Sequence, residues 1–342
     1  MINAPKNPRT MYDSQSTETD PVGVVVIGRN EGQRLRLCLA SLQGAARRVV
    51  YVDSGSGDGS AALALSMGVD VVELDMGAPF TAARARNAGF ERLVAAAPGL
   101  RFVQFIDGDC QMQPGWTLAA AAFLGLQTQV AVVSGRLRER HPDASVYNQL
   151  CDLEWDTPLG SGLYCGGICM IRAEAFQAVG GFRAGLIAGE EPELCVRLRA
   201  AGWMVWRIDN EMALHDAAMT RFGQWWRRSV RSGYAFAEGA ALHGAAPARH
   251  WVRETRSALV WGAGIPVAVL LGWLALGPLA LLGLLIYPLQ VGRLFLKGEG
   301  PARVRAWRAF FLVFGKFPEA VGQFKFHAHR VGAGRSELIE HK

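Results

Sequence analysis

Residues Phe102 to Asp109 read Phe-Val-Gln-Phe-Ile-Asp-Gly-Asp, an apolar run closed by two carboxylates on either side of a glycine. A run of this length and composition predicts a buried strand. Asp107 and Asp109 then emerge at its carboxyl end, the edge at which open α/β sheets bind ligands. Two hard oxygen donors there suit a Mg²⁺ or Mn²⁺ ion that also holds a diphosphate. Gly108, lacking a Cβ, lets a ligand approach the backbone. An Asp-x-Asp pair alone is more often a loop or capping feature, so the remaining segments decide.

Those segments alternate. Val22 to Ile27 is a β-branched run leading into Gly28-Arg29-Asn30-Glu31, and a helical stretch with Leu35, Leu37, Leu39 and Leu42 follows. Arg48 to Val52 predicts a second strand, ending in Asp53-Ser54-Gly55-Ser56-Gly57-Asp58-Gly59-Ser60. Ala61 to Met67 predicts a helix and Val69 to Leu74 a strand. A helix over Ala82 to Ala97 is stopped by Pro98-Gly99. Strand alternating with helix at this spacing predicts an α/β domain with a mostly parallel central sheet and helices on both faces. Further on, the sequence predicts a strand over Val130 to Arg138, a short helix over Ala173 to Val179, a helix over Glu191 to Ala201 and a last strand over Trp203 to Ile208. Tyr164 to Arg172 is a Gly-containing apolar segment, with Tyr164 to Gly167 placed either at an acceptor site or in a buried Gly-rich strand.

Charge separates the two ends of the chain. Residues 251–342 hold 12 Lys and Arg against 5 Asp and Glu, while the first 250 hold 24 against 25. The basic balance thus lies in the tail and not in a groove, which removes the footprint of nucleic-acid binding and suggests an anionic membrane face instead. Ser257 to Gly292 carries no charged residue. At 1.5 Å per residue this stretch reaches roughly 54 Å, too long for one crossing. With Gly277-Pro278 near its middle it reads as two transmembrane helices, about 257–275 and 278–296. Arg253, Arg256, Arg293, Lys297, Arg303 and Arg305 flank it and place both ends on the cytoplasmic side. The alternatives are a buried core hairpin or helices lying in the membrane interface. Residues 306–326 mix Trp307, Phe310, Phe311 and Phe314 with lysines and predict an interfacial amphipathic helix.

The six cysteines form no C-x-x-C pair and no zinc pattern, which reads as reduced thiols in a cytosolic domain. Residues 1–20 are polar, lack an apolar core and read as a disordered leader and not a signal peptide. The domain plan is therefore a leader over 1–20, a globular domain over 21–250 and a membrane-associated helical region over 251–342.

From about Val22 to Gly239 the chain resembles a family 2 glycosyltransferase of the GT-A fold, a Rossmann-like nucleotide-sugar-binding domain. The resemblance rests on six segments in order: Arg29-Asn30-Glu31 after the first strand, Val52 to Ser60, Ala85-Arg86-Asn87-Ala88-Gly89, Asp107-Gly108-Asp109, Gly180-Gly181-Phe182, and Gly189-Glu190-Glu191-Pro192-Glu193-Leu194. It implies transfer of a sugar from a nucleotide donor with inversion at C1. It implies that Asp53 hydrogen-bonds the donor base, with Gly28, Asn30 and Glu31 lining the same pocket and Arg86 and Asn87 approaching ribose or diphosphate. Asp109 would bind the metal directly, Asp107 the metal or the ribose beside Gly108, and His215, in Ala213-Leu214-His215-Asp216, would be a third metal ligand. The family's base is an acidic residue of a Glu-Asp pair opening a helix; here the pair is Glu190-Glu191, so the extra methylene of Glu191 leaves the role with either glutamate.

Each residue also has a plainer reading: Asp53 as a turn and capping residue, Arg86 as a solvated charge, His215 as a structural histidine, the glutamates as first-turn acids favouring the helix dipole. Gln224-Trp225-Trp226-Arg227-Arg228 resembles the Gln-x-x-Arg-Trp motif of processive synthases without its final Trp. It reads as an amphipathic helix near the membrane surface, with Arg227 a further diphosphate contact.

The resemblance and the hairpin together imply a metal-dependent (Mn²⁺ or Mg²⁺) transferase at the cytoplasmic face of an inner membrane. It would use a UDP-, GDP- or dTDP-sugar and a lipid-linked acceptor in cell-surface polysaccharide or glycolipid synthesis. A processive polysaccharide synthase and a non-catalytic membrane-anchored scaffold are the alternatives. A dehydrogenase lacks support, because the first turn has no Gly-x-Gly-x-x-Gly.

Overall fold

The computed structural model describes residues 22–78 and 80–331; the expected leader over 1–20 lies outside the described residues. The chain divides into two compact units: one of the residues up to Arg140 with Trp155–Ala184 and Arg197–Asp216, the other of His141–Glu154, Gly185–Val196 and the residues from Ala217 onward.

In the first unit the elements run β1 (Val22–Gly28), α1 (Gln33–Ser41), β2 (Arg48–Asp53), α2 (Ser60–Ser66), β3 (Asp70–Glu73), α3 (Ala82–Ala96), β4 (Phe102–Asp107), β5 (Cys110–Met112), α4 (Trp116–Leu126) and β6 (Val130–Glu139). After α5 (Val146–Trp155) come β7 (Gly160–Gly162), β8 (Cys169–Arg172) and α6 (Ala173–Ala178). Then α7 (Glu190–Ala200) leads to β9 (Met204–His215). The nine-stranded sheet has the order β3-β2-β1-β4-β8-β6-β9-β5, with β7 on β9. The strands β3, β2, β1 and β4 are mutually parallel, and β8 enters antiparallel between β4 and β6. This is the expected α/β architecture with a mostly parallel central sheet.

Hydrophobic burial supports that sheet. Val24, Val25, Val26, Val103, Phe105 and Ile106 have no exposed surface, so β1 and β4 are covered on both faces, as parallel strands require. Helix α3 sits unusually close, because Gly89 brings its backbone against Val25 and Val52, where any Cβ would overlap their methyls. Three residues earlier on α3, Arg86 is carried to the carboxyl edge of the strands.

Four elements escape the sequence reading. The strand β5 and then helix α4 come after Asp109, and α5 and β7 lie in an unassigned stretch. The last strand extends from the expected Ile208 to His215, through Asp209-Asn210-Glu211. It does so because β6 pairs with it in parallel with register shifts as far as Glu139–His215. His215 is thus the final residue of the strand and does not follow it.

In the second unit α8 (Phe222–His243) leads to the apolar segment. That segment is built from α9 (Val252–Leu259), a π-helical stretch over Val260–Gly264 and α10 (Ile265–Leu276), then a 3₁₀ stretch over Pro278–Leu285 and α11 (Ile286–Lys297). The two continuous helices, Val252–Leu276 of 25 residues and Pro278–Lys297 of 20, are each long and apolar enough to cross a membrane. None of either apolar window is buried, which removes the core-hairpin alternative. The turn falls at Gly277, as expected, with φ 78.

Two expectations need correction here. The single helix over 306–326 is two helices, α12 (Ala302–Phe314) and α13 (Lys316–Val331), broken at Gly315. And Trp225 does not face a membrane: it is 6% exposed and packs on Tyr147, Phe311 and Phe314 with ring centroids 6.4, 4.7 and 6.0 Å away. The Gln-x-x-Arg-like segment opens α8 structurally, since Gln224 Oε1 accepts from the Thr220 and Arg221 N–H groups at 3.0 Å each.

Candidate active site

Register alone assembles the site. Gly28 is paired with Asp53 across β1 and β2, and Ile27 with Asp107 across β1 and β4. The ends of three parallel strands therefore present Gly28, Asp53 and Asp107 side by side, and the Gly108 N–H donates to the Ile27 carbonyl at 2.8 Å to continue the edge into Asp109. A Cβ at Gly108 would stand 3.3 Å from that carbonyl and from Glu31 Cγ, so the close fit of this turn explains the glycine between the carboxylates.

Asp53 is 4% exposed. Its Oδ1 accepts from Tyr51 Oη at 2.9 Å, and its Oδ2 from the N–H groups of Gly55 and Ser56 at 3.0 and 2.7 Å. It closes the turn that follows β2, the plainer of its two expected roles, and keeps lone pairs beyond those three bonds. Burial and the neighbouring Asp53 push the Tyr51 phenol up, so Tyr51 remains a donor. Asn30, exposed and in the left-handed region at φ 56, ties the two loops together: its N–H donates to Ser56 Oγ at 2.9 Å and its Oδ1 accepts from the Gly57 N–H at 2.8 Å. Glu31 is buried and ion-paired with Arg34 at 2.7 Å.

Arg86 is not a solvated charge. It is 3% exposed, holds Asp107 Oδ1 at 2.8 Å and donates to the Gly167 carbonyl at 3.3 Å. Its neighbour Asn87 turns the other way: its Nδ2 donates to the Phe182 carbonyl at 2.7 Å and its Oδ1 accepts from the Phe182 N–H at 2.9 Å. The Gly180-Gly181-Phe182 loop is thereby fixed to α3.

Asp109 is 4% exposed. Its Oδ2 lies 3.3 Å from His215 Nε2, its Oδ1 accepts from Cys110 Sγ at 3.5 Å, and its carbonyl accepts from the Asp216 N–H at 3.1 Å. The pairing of Cys110 with His215 across β5 and β9 makes this meeting possible over a long separation in sequence. Trp155 closes one side, its ring 4.7 Å from the imidazole. Donor atoms of Asp109, Cys110 and His215 all lie within 4.8 Å of one another. The surroundings are electronegative: burial, then Asp109, Asp107 and Glu31, push the Cys38 thiol up, and burial with Asp109 and Asp107 does the same to Cys110. Tyr51, Cys38 and Trp155 carry no sequence motif; only the fold reveals them beside the site.

Glu190 and Glu191 belong to the second unit, as the first two residues of α7. They are 8% and 5% exposed, and Glu191 Oε1 accepts from Cys195 Sγ one turn on at 3.1 Å. Glu193 is paired with His243 at 2.9 Å. Arg227 is exposed on α8 in the same unit.

Residues 23–180 match the model of glycosyl transferase family 2, and residues 151–221 match that of the N-terminal domain of galactosyltransferase. No curated protein matches the chain. Among solved structures it is similar to the mannosyltransferase PcManGT from Pyrobaculum calidifontis, in complex with GDP-Man and Mn²⁺, at 18% identity over 90% of this chain and 88% of that one, with a TM-score of 0.57. TarS 1–349 of S. aureus is 14% identical over 91% of each chain, with a TM-score of 0.46. Glucosyl-3-phosphoglycerate synthase from Mycobacterium tuberculosis is 17% identical over 64% of this chain and 78% of that one, with a TM-score of 0.43. The likeness to PcManGT establishes the GT-A fold. With the family model running through the strands that end in Asp53 and Asp107, residues 23–180 form a family 2 glycosyltransferase domain.

Proposed function

We propose that the chain is a metal-dependent, inverting transferase that moves one sugar from a nucleotide-sugar donor to a lipid-linked acceptor. We place it at the cytoplasmic face of an inner membrane, in the synthesis of a cell-surface polysaccharide or glycolipid. The observation that carries the reading is the pairing of buried Asp109 with half-buried His215 at the edge where Asp53 and Asp107 also emerge.

The residues fit a divalent ion. An Asp109 carboxylate oxygen and a His215 imidazole nitrogen, grouped with the Cys110 thiol within 4.8 Å of one another, are oxygen and nitrogen donors that can take Mn²⁺ or Mg²⁺. Asp109 and His215 would hold it, with Asp107 beside them. When bound, such an ion neutralises charge on the departing nucleoside diphosphate.

The chain's own residues do the rest. Asp53, oriented by Tyr51 and by the turn it closes, accepts from the donor base, with Gly28 and Glu31 alongside and Asn30 fixing the loop. Arg86, held by Asp107, approaches the ribose or diphosphate, for which a guanidinium fork is suited. Asn87 serves by locking the Phe182 loop. Glu191 takes the proton of the acceptor hydroxyl as its oxygen attacks C1 opposite the leaving group, and Glu190 shapes its surroundings.

The exposed apolar hairpin supports the lipid-linked acceptor and the membrane location. PcManGT, solved with GDP-Man and Mn²⁺, supports the donor class and the metal.

The test is sugar transfer from UDP-, GDP- and dTDP-sugars to native membrane lipid with Mn²⁺ or Mg²⁺. Addition of a single sugar to a solvent-extractable lipid is expected. Full activity on a water-soluble sugar without lipid contradicts the acceptor class, and a ladder of polymer lengths identifies a processive synthase instead.

A further inference from the structure

Three contacts fix the height at which the apolar hairpin leaves the protein. Tyr287 Oη donates to the Trp261 carbonyl at 2.6 Å, so the two legs are level at these residues. Next on the first leg, Gly262 meets the backbone of α13, where a Cβ would overlap the Lys316 carbonyl and approach Ala320 Cβ to 2.8 Å. Phe317 of the same helix lies against the Tyr287 ring at 5.4 Å. Lys316 is ion-paired with Glu319 at 2.7 Å. Charged groups are costly in hydrocarbon, so the acyl region begins at this level or beyond it, towards the turn.

Beyond that level the hairpin is short. From Gly262 to Leu276 the first leg rises roughly 21 Å. The return leg is 3₁₀ over Pro278–Leu285 and α-helical to Tyr287, and it descends about 19 Å at the rises of those two helices. The two legs agree. A hydrocarbon core is about 30 Å thick, and any tilt reduces the depth reached. The turn therefore stops inside the hydrocarbon.

Its chemistry suits that place. Residues 262–286 are only Gly, Ala, Val, Leu, Ile and Pro with one Trp, the turn included. At the turn the Gly277 N–H donates to the Trp273 carbonyl at 2.9 Å and the Ala280 N–H to the Gly277 carbonyl at 3.1 Å, while Pro278 has no N–H. Backbone groups satisfied from within are what a lipid environment demands. Leu276 and Leu279 beside the turn are 78% and 76% exposed.

We propose that the hairpin is a re-entrant anchor that enters and leaves through one leaflet, with the acyl chains of that leaflet as its partner. This replaces the expectation of two crossings and rests on the membrane reading above. The test places single cysteines at the turn, Leu276→Cys and Leu279→Cys, and one at Glu299→Cys between α11 and α12 in the full chain. All six native cysteines are buried and set the background. Spheroplasts and inverted membrane vesicles are then treated with a membrane-impermeant maleimide. The expected result is labelling of Glu299→Cys from one face, of neither turn variant from either face, and of all three in detergent. Labelling of both turn variants from the face opposite Glu299→Cys overturns the proposal in favour of two crossings. Release of the chain by alkaline carbonate, or turn thiols labelled from the same face as Glu299→Cys, overturns the membrane reading itself.

Discussion

His215 Nε2 stands 3.3 Å from Asp109 Oδ2, although His215 ends β9 and Asp109 lies in the turn between β4 and β5. Pairing of β5 with β9 brings them together, and Trp155 holds the imidazole from one side. If this pair holds the divalent ion, His215→Ala leaves the fold intact and raises the Mn²⁺ concentration for half-maximal activity by roughly tenfold or more, the loss typical even of an outer-sphere partner. A metal titration of sugar transfer measures it. An unchanged half-maximal concentration makes His215 a structural residue.

Glu191, the second residue of α7, has a buried carboxylate whose Oε1 accepts from Cys195 Sγ at 3.1 Å. As the general base, its replacement in Glu191→Gln lowers kcat by about 10²–10⁴-fold while donor binding stays as it was. Glu190→Gln has the smaller effect. Transfer rates beside donor affinity by calorimetry separate the two. Full activity in Glu191→Gln moves the base elsewhere.

Asn87 spends both ends of its amide on the Phe182 backbone. Asn87→Ala strands those groups and costs about 1–3 kcal/mol of stability, read as a lower midpoint of chemical denaturation. Donor KM changes far less than in Arg86→Ala, because Arg86 is the member of the pair turned to Asp107. A large KM change without a loss of stability contradicts this division of labour.

Asp58 accepts from the Ser60 N–H and Oγ at 3.0 and 2.6 Å ahead of α2. The Ser60 hydroxyl above all holds its carboxyl below the usual range. A depressed folded-state value contributes stability above the ordinary carboxylate range, and this is lost as pH falls through the folded value. Asp58→Ala is therefore less stable than wild type at neutral pH, and the gap closes in acid below the ordinary aspartate range. A gap that persists undiminished in acid contradicts the assignment.

Much of the sheet was legible because β1, β2 and β4 are continuous apolar runs that end in polar residues, the signature of strands buried on both faces. Elsewhere local pattern and tertiary pairing disagree. The last strand passes through Asp209-Asn210-Glu211, which look like a loop, and is held extended by β6. Helix α4 is apolar nearly all round and opens after Gly115 with no side-chain cap, so it offers no start signal. In the site, Asp53, Asp107 and Asp109 were visible as strand-end acids. The orientation of Asn87 was not, since Phe182 lies 95 residues away. Nor was the burial of Trp225, whose aromatic partners come from α5 and α12.

Metal-dependent sugar transfer through Asp109 is what joins these residues into one site. Its most direct test is the release of nucleoside diphosphate across the donor panel, with Mn²⁺ and membrane lipid, by wild type and by Asp109→Asn of matched thermal stability. Lipid-stimulated release by wild type with one donor class, abolished by chelation and by the substitution, is expected. Equal release by Asp109→Asn, or wild-type release indifferent to chelator, would contradict it.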